Sequence, residues 1–175
     1  TFTSDIIGAR FRPNATTASG TGMFAPTSGS LGFSTNGTNR FSIDANGNLG
    51  LGVTPNSNWF TGGKILQIGA TASLINNGSN NSLFAHNVIF NNSTTDYLTT
   101  GKASYYRQNS GDHAWFTAPS GSAGTPATFT QVMLLSNIGN LTIGASGTAN
   151  AKLEILHTAS TTFPALQVLS TGSLA

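Results

Sequence analysis

Turn-forming residues interrupt this chain about every ten positions, and no window between them carries the apolar period of an amphipathic helix. Thr, Ser, Asn and Gly make up 84 of the 175 residues, while the helix-favouring Glu, Gln, Lys, Arg and Met are scarce. Short apolar runs separated by turn chemistry predict an all-β chain. Leu, Ile, Val and Phe total 40 residues. That is about 23% of the chain, above the range in which chains fail to fold.

Charge is the other constraint. Charged residues are 7% of the chain, against roughly a quarter in an average soluble domain. A surface so poor in charge is either clothed in neutral hydroxyls and amides or faces other copies of the chain. The seven basic residues, Arg10, Arg12, Arg40, Lys64, Lys102, Arg107 and Lys152, are scattered and leave a net charge of +2. They form no phosphate-binding stripe, so no nucleic-acid partner is expected. No apolar run reaches the roughly 18 residues that span a bilayer, so no membrane insertion is expected. The absence of Cys excludes disulfides, a thiol nucleophile and thiolate metal sites. The chain does not begin with Met and reads as a piece of a longer protein.

The most informative stretch runs from Arg40 to Gly52. Taking Ala45-Asn46-Gly47 as a three-residue loop puts Gly47 at the left-handed position. Asp44 then opposes Asn48, Ile43 opposes Leu49 and Phe41 opposes Leu51. Phe41, Ile43, Leu49 and Leu51 share one face, and Ser42, Asp44, Asn48 and Gly50 share the other. A two-residue Asn46-Gly47 loop would scatter the apolar residues over both faces. The pattern returns 92 residues later around Asn137-Ile138-Gly139, with Gly139 left-handed and Met133, Leu135, Leu141 and Ile143 on one face. Val132 and Leu134 fall on the opposite face, as though that hairpin were covered on both sides. Each hairpin is followed by a Lys-led strand, at Lys64–Ile68 and Lys152–Leu156, and another strand is expected at Leu166–Leu169.

Four segments follow. Residues 1–39 read as an extended or irregular lead-in, 40–73 as a first hairpin repeat, 74–131 as a central β module, and 132–175 as a second hairpin repeat with C-terminal strands. Hairpins alone are marginal in water, so single-faced strands need a partner face. Three chains about an axis would supply it and remove open sheet edges.

Chemistry is sparse. His86, His113 and His157 have no partner at metal-ligand spacing, although a His on a threefold axis would meet its symmetry mates. Of the carboxylates Asp5, Asp44, Asp96, Asp112 and Glu154, only Asp96 and Asp112 flank one module, and a glycosidase needs two that converge. Asp44 reads as a turn-stabilising residue. No catalytic residue, metal or cofactor is expected. Aromatic rings can stack on sugars, and Trp59, Phe60 and Trp115 are the candidate glycan contacts. Trp59-Phe60, after the turn residues Pro55–Asn58, is expected to be an exposed pair.

The series from Tyr105-Tyr106-Arg107-Gln108 through His113-Ala114-Trp115-Phe116-Thr117, then Phe129-Thr130-Gln131 and the Gly139-Asn140-Leu141 hairpin, resembles the shaft regions of bacteriophage tail fibres. The resemblance covers residues 40–157. It implies an elongated, intertwined homotrimeric β fibre built of short antiparallel hairpins, located on the virion. It also implies a non-enzymatic role in host adsorption, with other tail or baseplate proteins and host-surface polysaccharide or receptor as partners. The other reading is a glycan-binding adhesin or lectin-like module. An ice-binding surface lacks the regular Thr-x-Thr arrays it needs, and a depolymerase lacks paired carboxylates.

Overall fold

The computed structural model describes residues 20–144 and the backbone of 153–155. The expectations for residues 1–19, Lys152, His157 and Leu166–Leu169 lie outside the described residues. Among the described residues the chain is all-β, with fourteen strands and no helix. It divides into two units, one with residues 20–57 and 66–69 and the other with 58–65 and 70–144, so that β5 is divided between them.

The first unit holds β1 (Gly22–Phe24), β2 (Leu31–Thr35), β3 (Thr38–Ile43), β4 (Leu49–Leu51) and the end of β5 (Lys64–Ile68). β1 to β4 are antiparallel neighbours in order, and β5 runs parallel to β4. Residues 22–35 are therefore not an irregular lead-in but two paired strands. The cause is Asn36-Gly37, which joins β2 to β3 with positive φ at both residues (50° and 71°). That is the two-residue turn whose twist matches a hairpin.

The β3–β4 hairpin has Ile43 opposite Leu49 and Phe41 opposite Leu51. Gly47 has φ of 78°. Its N–H donates to the Asp44 carbonyl (3.0 Å), and the Asp44 N–H donates to Asn48 O (2.9 Å). The Asp44 carboxylate accepts from the Asn46 and Asn48 N–H groups, both at 2.8 Å, and from Asn48 Nδ2 at 2.9 Å. The second hairpin repeats this with β12 (Thr130–Leu135) and β13 (Leu141–Ile143). Met133 opposes Ile143, Leu135 opposes Leu141, and Gly139 has φ of 81°. Ser136 Oγ takes the place of the Asp44 carboxylate, accepting from Asn140 N–H at 3.1 Å. Each hairpin is followed by a parallel strand, β5 after the first and β14 (Leu153–Ile155) after the second.

Within the first unit the covered face is the small, polar one. The row Phe24–Gly32–Ser42–Gly50–Gln67 crosses the five strands and is buried. The row Met23–Phe33–Phe41–Leu51–Ile68 crosses the same strands on the other face and stays open, with Leu51 48% exposed. The segment after β4 folds over the small, polar face. Ser42 Oγ donates to Val53 O (3.0 Å), and Gln67 Oε1 accepts from Asn56 N–H (3.0 Å). An irregular segment brings unpaired backbone groups, so the face beneath it must supply hydrogen-bond partners.

The second unit contains β6 (Ala72–Asn76), β7 (Asn81–His86), β10 (Gly101–Asn109), β11 (Asp112–Gly121), β12 and β13, neighbours in that order, with β14 beside β13. A separate hairpin, β8 (Val88–Phe90) with β9 (Thr95–Tyr97), contributes Val88, Ile89 and Tyr97 to the core. That core also holds Trp59, Ile65, Ile75, Leu83, Ala85, Ala103 and Ala118. Buried Asn87, at φ of 58°, fixes the start of β8. Its Nδ2 donates to Thr99 O (2.9 Å) and Lys102 O (3.0 Å), and its Oδ1 accepts from the N–H (2.7 Å) and hydroxyl (2.8 Å) of Thr99.

Here too one apolar row remains open. Leu74, Phe84, Tyr106, Trp115, Met133 and Ile143 oppose one another in turn across six strands, with Leu74 52% and Phe84 57% exposed. In the second hairpin Leu134 and Thr142 face inward, while Leu135 and Ile143 are exposed.

Two glycine substitutions test this geometry by thermal unfolding. Gly47→Val should cost about 1–2 kcal/mol, because a β-branched residue is placed at a left-handed φ. Gly50→Ser looks harmless from its strand position, but a Cβ there would lie 2.0 Å from Val53 O and 3.0 Å from Ser42 Oγ. It should therefore destabilise by about 1–3 kcal/mol, the usual range for overpacking. Unchanged melting for Gly50→Ser would disprove the placement of the 52–57 segment.

Candidate functional site

Strand alternation sends Tyr105 and Arg107 of β10 to the inner face of the second unit and Tyr106 to the outer one. Tyr105 is a hub of rings. It stacks on Phe116 (centroids 4.5 Å, planes 18° apart), meets Phe90 edge-on (5.3 Å) and tilts against Phe129 (4.8 Å). The Arg107 guanidinium lies over the Phe116 ring, 4.9 Å from its centroid. Burial pushes the Tyr105 hydroxyl above its usual 10, and the nearby Arg107 charge opposes that rise.

Beside this group opens a cleft of about 360 Å³, within the size range of small-molecule sites. Phe60, Phe90 and Tyr105 give it aromatic walls, and Asn81, Asn92 and Arg107 give it polar ones. Its rim is braced. Phe60 N–H donates to Phe90 O (2.9 Å), and Asn92 Oδ1 accepts from the N–H (3.0 Å) and hydroxyl (3.3 Å) of Thr61. Asn91 organises the adjoining turn, accepting from Ser93 and Thr94 N–H and donating to Asp96 Oδ2 (2.6 Å). Two buried polar atoms of the lining residues, Arg107 Nε and Asn81 Oδ1, have no hydrogen-bond partner.

The aromatic residues singled out in the sequence separate. Trp59 is 4% exposed and belongs to the core, so it is not an exposed glycan contact; Phe60 alone reaches the cleft. The pair lies in a turn rather than a strand, and Phe60 packs partly buried against the same core that holds Trp59. Trp115 lies half-buried on the outer face, 5.0 Å from Tyr106. With Phe84, Tyr106 and Val132 it lines a separate groove of about 400 Å³. Arg107 and Asn81 were missed in the sequence. The available signal was Arg107 in step with Ala103 and Tyr105, on the core-facing side of its strand, whereas Lys102 falls on the other side.

The remaining candidates do not gather. Asp96 lies on β9, whose neighbour Tyr97 donates its hydroxyl to Pro119 O (2.6 Å) at the far end of β11. Asp112 begins β11 and accepts from Asn137 N–H (2.7 Å). A strand rise of roughly 3.3 Å per residue puts these sites about 20 Å apart, beyond any glycosidase spacing. His113 Nδ1 shares a hydrogen bond with the Tyr106 hydroxyl. His86 is exposed on β7. Among the described residues, no three His, Cys, Asp or Glu side chains cluster as metal ligands would. Compared with known proteins, the chain matches no family model and no curated sequence.

Tyr105 gives the site a pH signature. Because its folded pKa is raised, its contribution to stability is full below its ordinary value of about 10 and is lost as pH rises above it. In denaturant titrations between about pH 9 and 11, the parent should weaken more steeply than Tyr105→Phe. Parallel curves would show that Tyr105 is not buried as described.

Proposed function

We propose that this chain is a non-enzymatic structural segment of a bacteriophage tail fibre, an intertwined β homotrimer on the virion that serves host adsorption. The observation that carries the reading is the open apolar row Leu74–Phe84–Tyr106–Trp115–Met133–Ile143, crossing six strands of one unit. The first unit has its counterpart in Met23–Phe33–Phe41–Leu51–Ile68. Soluble monomers do not usually leave contiguous faces of this kind to water. Each large side chain fully covered is worth about 1.5–3 kcal/mol, so these faces favour association. The sparse charge supports the same reading, since few charges need desolvation when such a surface is covered. The threefold count, the virion and the adsorption role follow from the tail-fibre resemblance of residues 40–157.

Mass measurement by light scattering at micromolar concentration tests the assembly. The parent should have three times the chain mass, and Phe84→Asp, which puts a charge on a side chain now 57% exposed, should lower the mass or the melting temperature of the assembly. A well-folded monomer, or a Phe84→Asp protein identical to the parent in both respects, would overturn the proposal.

A further inference from the structure

The geometry points to the cleft beside Tyr105 as a binding site for a carboxylated pyranose, a sugar ring bearing an acidic group. Three features of the cleft carry this. Its walls are the rings of Phe60, Phe90 and Tyr105, and aromatic faces suit the apolar C–H face of a pyranose. Its polar atoms are mostly neutral side-chain amides, the donors and acceptors that sugar hydroxyls use in both directions. Among the described residues its one charged lining residue is Arg107, whose Nε is buried without a partner, and no carboxylate lines it. A guanidinium edge matches a carboxylate in shape and charge.

Asn81 Oδ1 is the second unpartnered atom, and Asn81 lies on β7 two residues from Leu83, the residue opposite Arg107. Buried polar atoms without partners are rare in folded chains and costly to maintain. A phosphorylated ligand fits less well, since it brings more negative charge than a single cation balances. Bracing of the rim by Phe60 N–H to Phe90 O and by Thr61 to Asn92 means that little ordering is left for binding to impose.

The site does not rest on the assembly reading. Its inner-face residues Ile75, Leu83, Tyr105 and Arg107 alternate with the outer-face residues Leu74, Phe84 and Tyr106, so association through the outer row leaves it open.

Calorimetric titration of the chain in its native assembly with methyl glucuronide, methyl glucoside and inorganic phosphate tests the proposal. The glucuronide should bind saturably and at least about tenfold more tightly than the glucoside, the difference expected for a charge-assisted hydrogen bond. Phosphate should not compete. Arg107→Gln should remove that preference. Asn81→Ala deletes an atom with no protein partner, so it should weaken glucuronide binding severalfold while leaving the melting temperature at or above that of the parent. Equal binding of glucuronide and glucoside, or displacement by phosphate, would overturn the ligand class. No saturable binding of any probe, or binding indifferent to Asn81→Ala, would overturn the site.

Discussion

A β-strand must place consecutive side chains on opposite faces, and in each unit the described residues leave an apolar row on one of them exposed. What covers the inner face of the first unit is not another sheet but the irregular segment after β4. That decides the chemistry beneath it. Backbone carbonyls and N–H groups of a loop must be met by side chains, so the covered row carries Ser42 and Gln67, and Gly50 where the loop passes closest. The apolar residues are displaced to the face the loop does not reach. The second unit has a larger core, built by the β8–β9 hairpin and Trp59, yet it also leaves an apolar row uncovered.

This explains how much of the fold could be read in advance. The register of both hairpins was legible, because only one loop choice around Gly47 and around Gly139 keeps the apolar residues together. The covered face was not legible. Hydrophobic alternation says which face is driven from water, but not whether the same chain or another supplies the cover. Residues 22–35 were misread because their composition resembles a linker, although Asn36-Gly37 between two short apolar runs is a strong hairpin signal. Asn109–Asp112 closes β10 onto β11 in the same way, with positive φ at Ser110 and Gly111.

The candidate site was less legible than the fold. Ring content alone suggested Trp59, which the core absorbs, and Trp115, which joins the outer row. The cleft instead depends on Arg107 and Asn81, separated by twenty-six positions and joined only through β7–β10 pairing. Nothing local in either segment announces that pairing. Strand order, rather than residue type, creates the site, which is why spacing arguments along one sequence do not find it.

Asn87 has a consequence of a different kind. It ties β8, the Thr99 turn and Lys102 together through amide and hydroxyl groups. None of these gains or loses a proton in ordinary solution, and none is weakened by counter-ions as a surface salt bridge is. A seam so constructed holds its geometry through changes of salinity and acidity that would loosen an ion-paired one. Its vulnerability is covalent rather than electrostatic: conversion of the Asn87 amide to a carboxylate would put an unpaired negative charge against two carbonyl oxygens and open the seam from within.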